Sequence, residues 1–299
     1  MPRATLPRPA STTLVLRDAA DGLRVLMLRR SASASFMPGA LVFPGGAVDA
    51  ADGSVELEAC CAESRAEAWS RLRLGDAVDG LALAHAVAAL RECFEECGLW
   101  LGADMLVDAA TLAQARRRLL AGDTRLAALS AELSIPLATR ALAPWSHWVT
   151  PIDVARRFDT VFFVALAPLD QLAMADGSET TGVVWARPAD VLSGSERDAL
   201  PFATRCTLES LLPFADAVSV MRVARRPRRL EIVHPRVART RAGVRRVLLP
   251  RDAGYLDVMR LDPEGTGAAV IPDLPCPPRP PPVDPRLAFC NHKTDQETP

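Results

Sequence analysis

The chain has 299 residues, 49% of them apolar, which is enough to bury a substantial core, and a formal net charge of −1. That near-neutral balance gives no electrostatic footprint for nucleic acid. The N-terminus carries Pro2, Arg3, Pro7, Arg8 and Pro9 and no continuous apolar run, so neither a signal peptide nor a membrane span is expected.

In chain order, residues 12–19 and 23–30 read as two strands joined at Asp21-Gly22, a hairpin turn signal. Residues 51–80 are rich in Ala, Glu and Arg and read as a helix plus a turn at Gly75-Asp76. Val87, Leu90, Phe94 and Cys97 share one face of a helix, and Gly98 supplies its stop. Between 109 and 133, Leu112, Ala115 and Leu119, then Leu126, Leu129 and Leu133, are spaced for a packing face that suits cover over the core or a homodimer surface. Residues 158–166 are apolar at nearly every position, as in a central strand covered on both faces. Residues 188–192 and 201–212 read as short flanking helices. Beyond about 215 the pattern turns strand-like at 230–233, 247–249 and 255–261. Eight prolines between 272 and 285 favour extended, unpacked chain, so 272–299 is expected to be a disordered tail. The seven cysteines show no paired C-x-x-C spacing, which favours a reduced setting; Cys93 and Cys97 read as small apolar fillers.

The chemistry concentrates in Arg91-Glu92-Cys93-Phe94-Glu95-Glu96-Cys97-Gly98-Leu99. Glu92, Glu95 and Glu96 lie roughly opposite the apolar face, and carboxylates at these spacings repel one another by a few tenths of a kcal/mol per pair. A divalent cation would remove that cost, and hard oxygen ligands favour Mg²⁺ or Mn²⁺. A solvated helix face would show the same triplet, so the neighbouring residues matter.

Those residues resemble the signature of the Nudix superfamily, which reads Gly, five residues, Glu, seven residues, then Arg-Glu-apolar-x-Glu-Glu-x-Gly-apolar. The second half is complete from Arg91 to Leu99. The first half is interrupted: Gly46, in Phe43-Pro44-Gly45-Gly46, lies about thirty residues too far upstream, and the position seven residues clear of Arg91 is Leu83 instead of Glu. Together with Trp145-Ser146-His147-Trp148 and Arg156-Arg157-Phe158-Asp159, this split box looks like the branch of coenzyme A and acyl-coenzyme A diphosphatases, over residues 10 to 250.

The resemblance implies an α/β/α sandwich with a mixed sheet: a Nudix hydrolase domain over 10–215 with insertions at about 51–80 and 105–143, and an accessory β region over 216–271. It implies cleavage of a small-molecule nucleotide at its diphosphate, to 3′,5′-ADP and 4′-phosphopantetheine or its acylated form. Glu92, Glu95 and Glu96 would hold Mg²⁺ or Mn²⁺, Arg91 would orient a carboxylate, and Glu179 would be a further acid serving as base or ligand. Phe43, Gly45 and Gly46 would border the substrate, the glycines allowing close approach, while Arg29, Arg30 and Arg157 could meet its phosphates. His147 reads as packing. An ADP-ribose or NADH-type pyrophosphatase, and a catalytically silent nucleotide-binding protein of the same fold, remain open. Lys293 is the only lysine among 35 basic residues, a bias that points to a GC-rich, bacterial source. Without a C-terminal Ser-Lys-Leu signal, a cytoplasmic location is expected.

Overall fold

A computed structural model describes residues 6–34, 37–74, 81–102 and 107–272. The expected turn at Gly75-Asp76 and the proline-rich segment beyond 272 lie outside the described residues.

The chain opens with β1 (Arg8–Ala19) and β2 (Gly22–Arg30), the hairpin expected at Asp21-Gly22, with Gly22 at φ +109°. Two short strands follow, β3 (Leu41–Val42) and β4 (Gly45–Ala47). The 51–80 stretch forms a 3₁₀ turn over Ala50–Gly53, then α1 (Val55–Ala59) and α2 (Arg65–Leu72), capped by Ser54 and Ser64. The signature helix is α3 (Leu81–Cys97), and Gly98 closes it at φ +75°. The next helical stretch breaks at Gly122 into α4 (Ala109–Leu120) and α5 (Leu126–Leu133). Then come β5 (Ala143–Val149), β6 (Phe158–Leu166) and β7 (Thr180–Ala186), followed by α6 (Pro188–Ser193), α7 (Phe202–Leu211) and α8 (Ala217–Ala224). The described chain ends with β8 (Ile232–Val233), β9 (Arg236–Thr240), β10 (Arg245–Leu248), α9 (Tyr255–Leu261) and β11 (Val270–Ile271).

Among the described residues, eight strands form one mixed sheet in the order β3-β2-β1-β6-β5-β8, with β4 also on β1 and β7 also on β2. The β1–β6 pair is parallel, and the apolar stretch Val161–Ala165 of β6 is buried. Strand alternation divides the core. Val15, Val161 and Phe163 pack toward α2, α3, α4 and α5, whereas Leu14, Leu16, Phe162 and Val164 pack toward α6, α7 and α8. This is the α/β/α sandwich expected.

The C-terminal part departs from the strand-like reading. Residues Ala217, Val220, Met221 and Ala224 recur at helical spacing and pack α8 into the main core, and β8 joins the main sheet beside β5. Residues 255–261 form a helix instead of the expected strand: Tyr255 and Val258 are buried three apart, and seven residues are too few to separate a helical from a strand period. Only β9, β10 and β11 make a separate small sheet, with α9 against it.

Candidate active site

A cavity of about 720 Å³ opens over β1, β6 and β5, with alternate residues of these strands as its floor: Ala10 and Thr12 from β1, Phe158, Thr160 and Phe162 from β6. The parallel register sets Ala10 beside Thr160 and Thr12 beside Phe162. One side of the cavity is β4 with α3 behind it. The two elements come close because Gly45 and Gly46 carry no side chain: a Cβ on Gly46 would lie 2.5 Å from the Glu92 carboxylate, and one on Gly45 would lie 2.7 Å from Thr12 Cα.

Arg91 organises the acidic side. Its Nη1 donates to Glu92 (2.8 Å) and Glu95 (3.0 Å), its Nη2 to the Ala47 carbonyl (3.0 Å), and its Nε and Nη2 to the two oxygens of Asp52 (2.9 and 3.0 Å). The expectation that Arg91 orients a carboxylate fits this geometry. Burial disfavours its charge, but Asp52, Glu92 and Glu95 together outweigh burial and hold its pKa above the ordinary value. Glu96 accepts a hydrogen bond from the Gly45 amide at 2.8 Å and is buried behind the glycine loop, so only Glu92 and Glu95 of the triplet border the cavity.

Desolvation lifts all three glutamates, Glu92 to about 7 and Glu96 to about 8; Glu95 and Arg91 act on Glu92, and the charges of Glu92 and Glu179 push Glu96 further. For Glu92 and Glu95 burial outweighs the neighbouring charge of Arg91, so both keep a raised proton affinity. Among the described residues no three His, Cys, Asp or Glu side chains stand together as a ready-made cation site, because Arg91 draws Glu92 and Glu95 to itself and Gly45 holds Glu96. The donor set nevertheless fits a hard divalent cation: carboxylate oxygens alone, on adjacent helical turns, with raised proton affinity.

Glu179 faces this group from the opposite loop. Asp176 accepts from the Glu179 amide (2.7 Å) and the Thr180 hydroxyl (2.9 Å), fixing the loop so that Glu179 borders the cavity near Glu96. Arg30, Phe43, Gly45 and Gly46 also line the cavity, as expected.

Two expectations need correction. Arg29 is turned away: it pairs with Glu196 (2.7 Å) and donates to the Gly39 carbonyl (3.1 Å), because the ladder to β7 shifts register between Arg29 and Arg30 and only Arg30 faces in. Arg157 donates to the Thr150 carbonyl (3.1 Å) across the β5–β6 turn, and its neighbour Arg156 lines the cavity in its place. His147 packs as expected on the reverse of the floor, hydrogen-bonded to Asp159 and buried.

Asp52 was missed. Leu83 is not a replaced acid but a core residue with 1% exposure. The acid that meets Arg91 is Asp52, and it follows Gly46 by five intervening residues, the spacing of the first half of the signature. The interruption therefore falls after the acid, and counting forward from Gly46 would have found it.

A family model described as the NUDT19 Nudix domain matches residues 62–203. The chain is 32% identical over 208 residues to acyl-coenzyme A diphosphatase NUDT19 of Gallus gallus, a match covering 56% of this chain and 55% of that protein. It is 30% identical over 221 residues to the Homo sapiens protein of the same name, covering 61% and 58% respectively. The match thus spans a little over half the length of these curated relatives. Among solved structures, the NUDIX hydrolase from Alicyclobacillus acidocaldarius is 30% identical, with a TM-score of 0.60 over 74% of this chain and 97% of that one. Among the described residues no helix is long and apolar enough to cross a membrane.

Proposed function

Since the chain belongs to the Nudix hydrolase family, we propose that it hydrolyses the diphosphate linkage of coenzyme A or an acyl-coenzyme A, releasing 3′,5′-ADP and 4′-phosphopantetheine or its acylated form. The observation that carries this reading is the row of desolvated carboxylates beside a cavity whose remaining walls are largely apolar and aromatic, among them Phe43, Trp148 and Phe202. The names of the chicken and human relatives support the choice of substrate.

Glu92, Glu95 and Glu96 would hold Mg²⁺ or Mn²⁺, and the chemistry such a cation supplies when bound is neutralisation of the diphosphate and a lowered pKa for adjacent water. The chain's own residues do the rest. Asp52 fixes the guanidinium of Arg91, and Arg91 sets the directions of Glu92 and Glu95. The Gly45 amide holds Glu96 in place. Arg30 faces the substrate phosphates with a planar fork of donors. Glu179 takes the proton of the attacking water, its position set by Asp176. The apolar walls exclude bulk water and suit the pantetheine arm and an acyl chain.

Product analysis by mass spectrometry after incubation with Mg²⁺ tests the reading, with coenzyme A, an acyl-coenzyme A, NADH and ADP-ribose in separate reactions. Appearance of 3′,5′-ADP with phosphopantetheine is expected. AMP from NADH or ADP-ribose as the dominant product would overturn the substrate assignment, and no cleavage with either Mg²⁺ or Mn²⁺ would leave a nucleotide-binding protein.

A further inference from the structure

The site has a second charged side that the hydrolysis itself does not use. Resting on the coenzyme A reading, the geometry points to an anion subsite in which Arg8, Arg156 and Arg245 take a phosphomonoester on the adenosine half of the substrate, its 3′-phosphate, and so set preference for coenzyme A over diphosphates that lack one.

Three elements distant in sequence bring these arginines to one end of the cavity floor. Arg8 starts β1, in register with Phe158 at the start of β6, and its amide donates to the Arg157 carbonyl at 3.0 Å. It therefore sits beside the β5–β6 loop that carries Arg156. Arg245 comes from β10 of the small C-terminal sheet and reaches the same loop, where its Nε and Nη2 donate to Oδ2 of Asp153 at 3.2 and 3.0 Å. Gly267 backs that contact closely: a Cβ there would lie 3.4 Å from the Cβ of Asp153. The small sheet is thus fastened to the loop and presents Arg245 to the cavity, which all three arginines line.

The charges divide the cavity. Glu92, Glu95 and Glu179 border one part, and the guanidiniums of Arg8, Arg156 and Arg245 border the other, with Asp153 paired to Arg245. Asp153 takes Nε and Nη2 of Arg245 and leaves Nη1 outside that pair. The separation suits one nucleotide. Ala10 pairs with Ala47, whose carbonyl holds Arg91, and Arg8 lies two residues further along β1, about 7 Å at the rise of a strand. A ribose carrying a 5′-diphosphate at the acidic side places its 3′-phosphate a few bonds away. Guanidinium forks match a phosphomonoester in geometry and charge, whereas AMP-type halves offer nothing there.

The test compares wild type with the Arg156→Gln/Arg245→Gln double variant on coenzyme A and on 3′-dephospho-coenzyme A. The ratio of kcat/KM for the two substrates is expected to favour coenzyme A in wild type and to fall about tenfold or more in the variant, as loss of charge-assisted hydrogen bonds implies. Equal losses on both substrates, or an unchanged ratio, would overturn the subsite. Calorimetric titration with 3′,5′-ADP and with 5′-AMP separates this idea from the hydrolysis reading. If wild type cuts neither substrate yet binds 3′,5′-ADP more tightly than 5′-AMP, and the variant loses that difference, the function reading has failed and the subsite stands. If wild type binds the two alike, the subsite is refuted whatever the activity.

Discussion

Removing Asp52 tests whether the acid six positions after Gly46 holds the site together. Its side chain is 1% exposed and that of Arg91 13%, and the two share a bidentate pair. Deleting one partner of such a buried pair costs about 3–5 kcal/mol, because the other charge is stranded. Here Arg91 keeps Glu92, Glu95 and the Ala47 carbonyl, so the expected loss for Asp52→Ala is at the lower end, about 3 kcal/mol. Asp52→Asn retains an oxygen toward Arg91 and should lose roughly half as much. Urea unfolding followed by tryptophan fluorescence reads the stability change. Activity should fall as well, by roughly 10–100-fold, because Arg91 released from Asp52 closes more fully on the two glutamates it orients. A loss under about 1 kcal/mol, the level of an ordinary surface change, together with unaltered Mg²⁺ dependence would refute the reasoning.

Leu83→Glu restores the spacing of the family pattern but buries a carboxylate in the core, so it should destabilise by about 3 kcal/mol or more without raising activity; a stable variant of higher activity would contradict the role given to Asp52. The two glycines should behave differently. Gly45→Ala meets the backbone of Ser11 and Thr12 and should lower the melting temperature, whereas Gly46→Ala meets only the movable end of Glu92 and should depress activity with little loss of stability. Glu96→Gln keeps an acceptor for the Gly45 amide and should fold normally while losing the metal-dependent rate by orders of magnitude; near wild-type turnover would sink the ligand assignment. Without divalent cations the folded protein holds protons on Glu92 and Glu96 that the unfolded chain, near 4.5, has released, so their contribution to stability is present below that value and is lost as pH rises through about 7 and 8. Thermal melts in chelator should therefore fall over that interval and recover with Mg²⁺, and a flat profile in chelator would show that the glutamates are not desolvated.

Legibility followed the length of each periodic segment. The β1–β2 hairpin, α3 and β6 carry uninterrupted patterns, and their positions match the sequence reading closely. Short segments do not separate the periods: α9 and α8, seven and eight residues long, carry too few turns for a helical period to stand out from a strand-like one. Within the site, the signature string from Arg91 to Leu99 located Arg91 and the three glutamates, which helical spacing alone leaves compatible with a solvated face. It did not extend to Arg29 and Arg157, because adjacent arginines at a register shift and in a turn can face either way and only the pairing with β7 and the Thr150 carbonyl decides. The basic side of the cavity was invisible for a different reason. Arg245 reaches it through a long-range bond to Asp153, 92 residues away, which no local pattern records.

The Asp52–Arg91 pair also spans a separation of 39 residues where the usual signature spans eight. At constant flexibility, closing the larger loop costs about 1.4 kcal/mol more in chain entropy. Leu57, Ala68 and Leu72, which join the core from within that loop, offset the cost, since each buried leucine contributes about 1.5–3 kcal/mol. The consequence is that the pairing of the aspartate with the arginine rests on the intervening helices being packed on the core, so residues remote from the cavity help to hold the catalytic side in place.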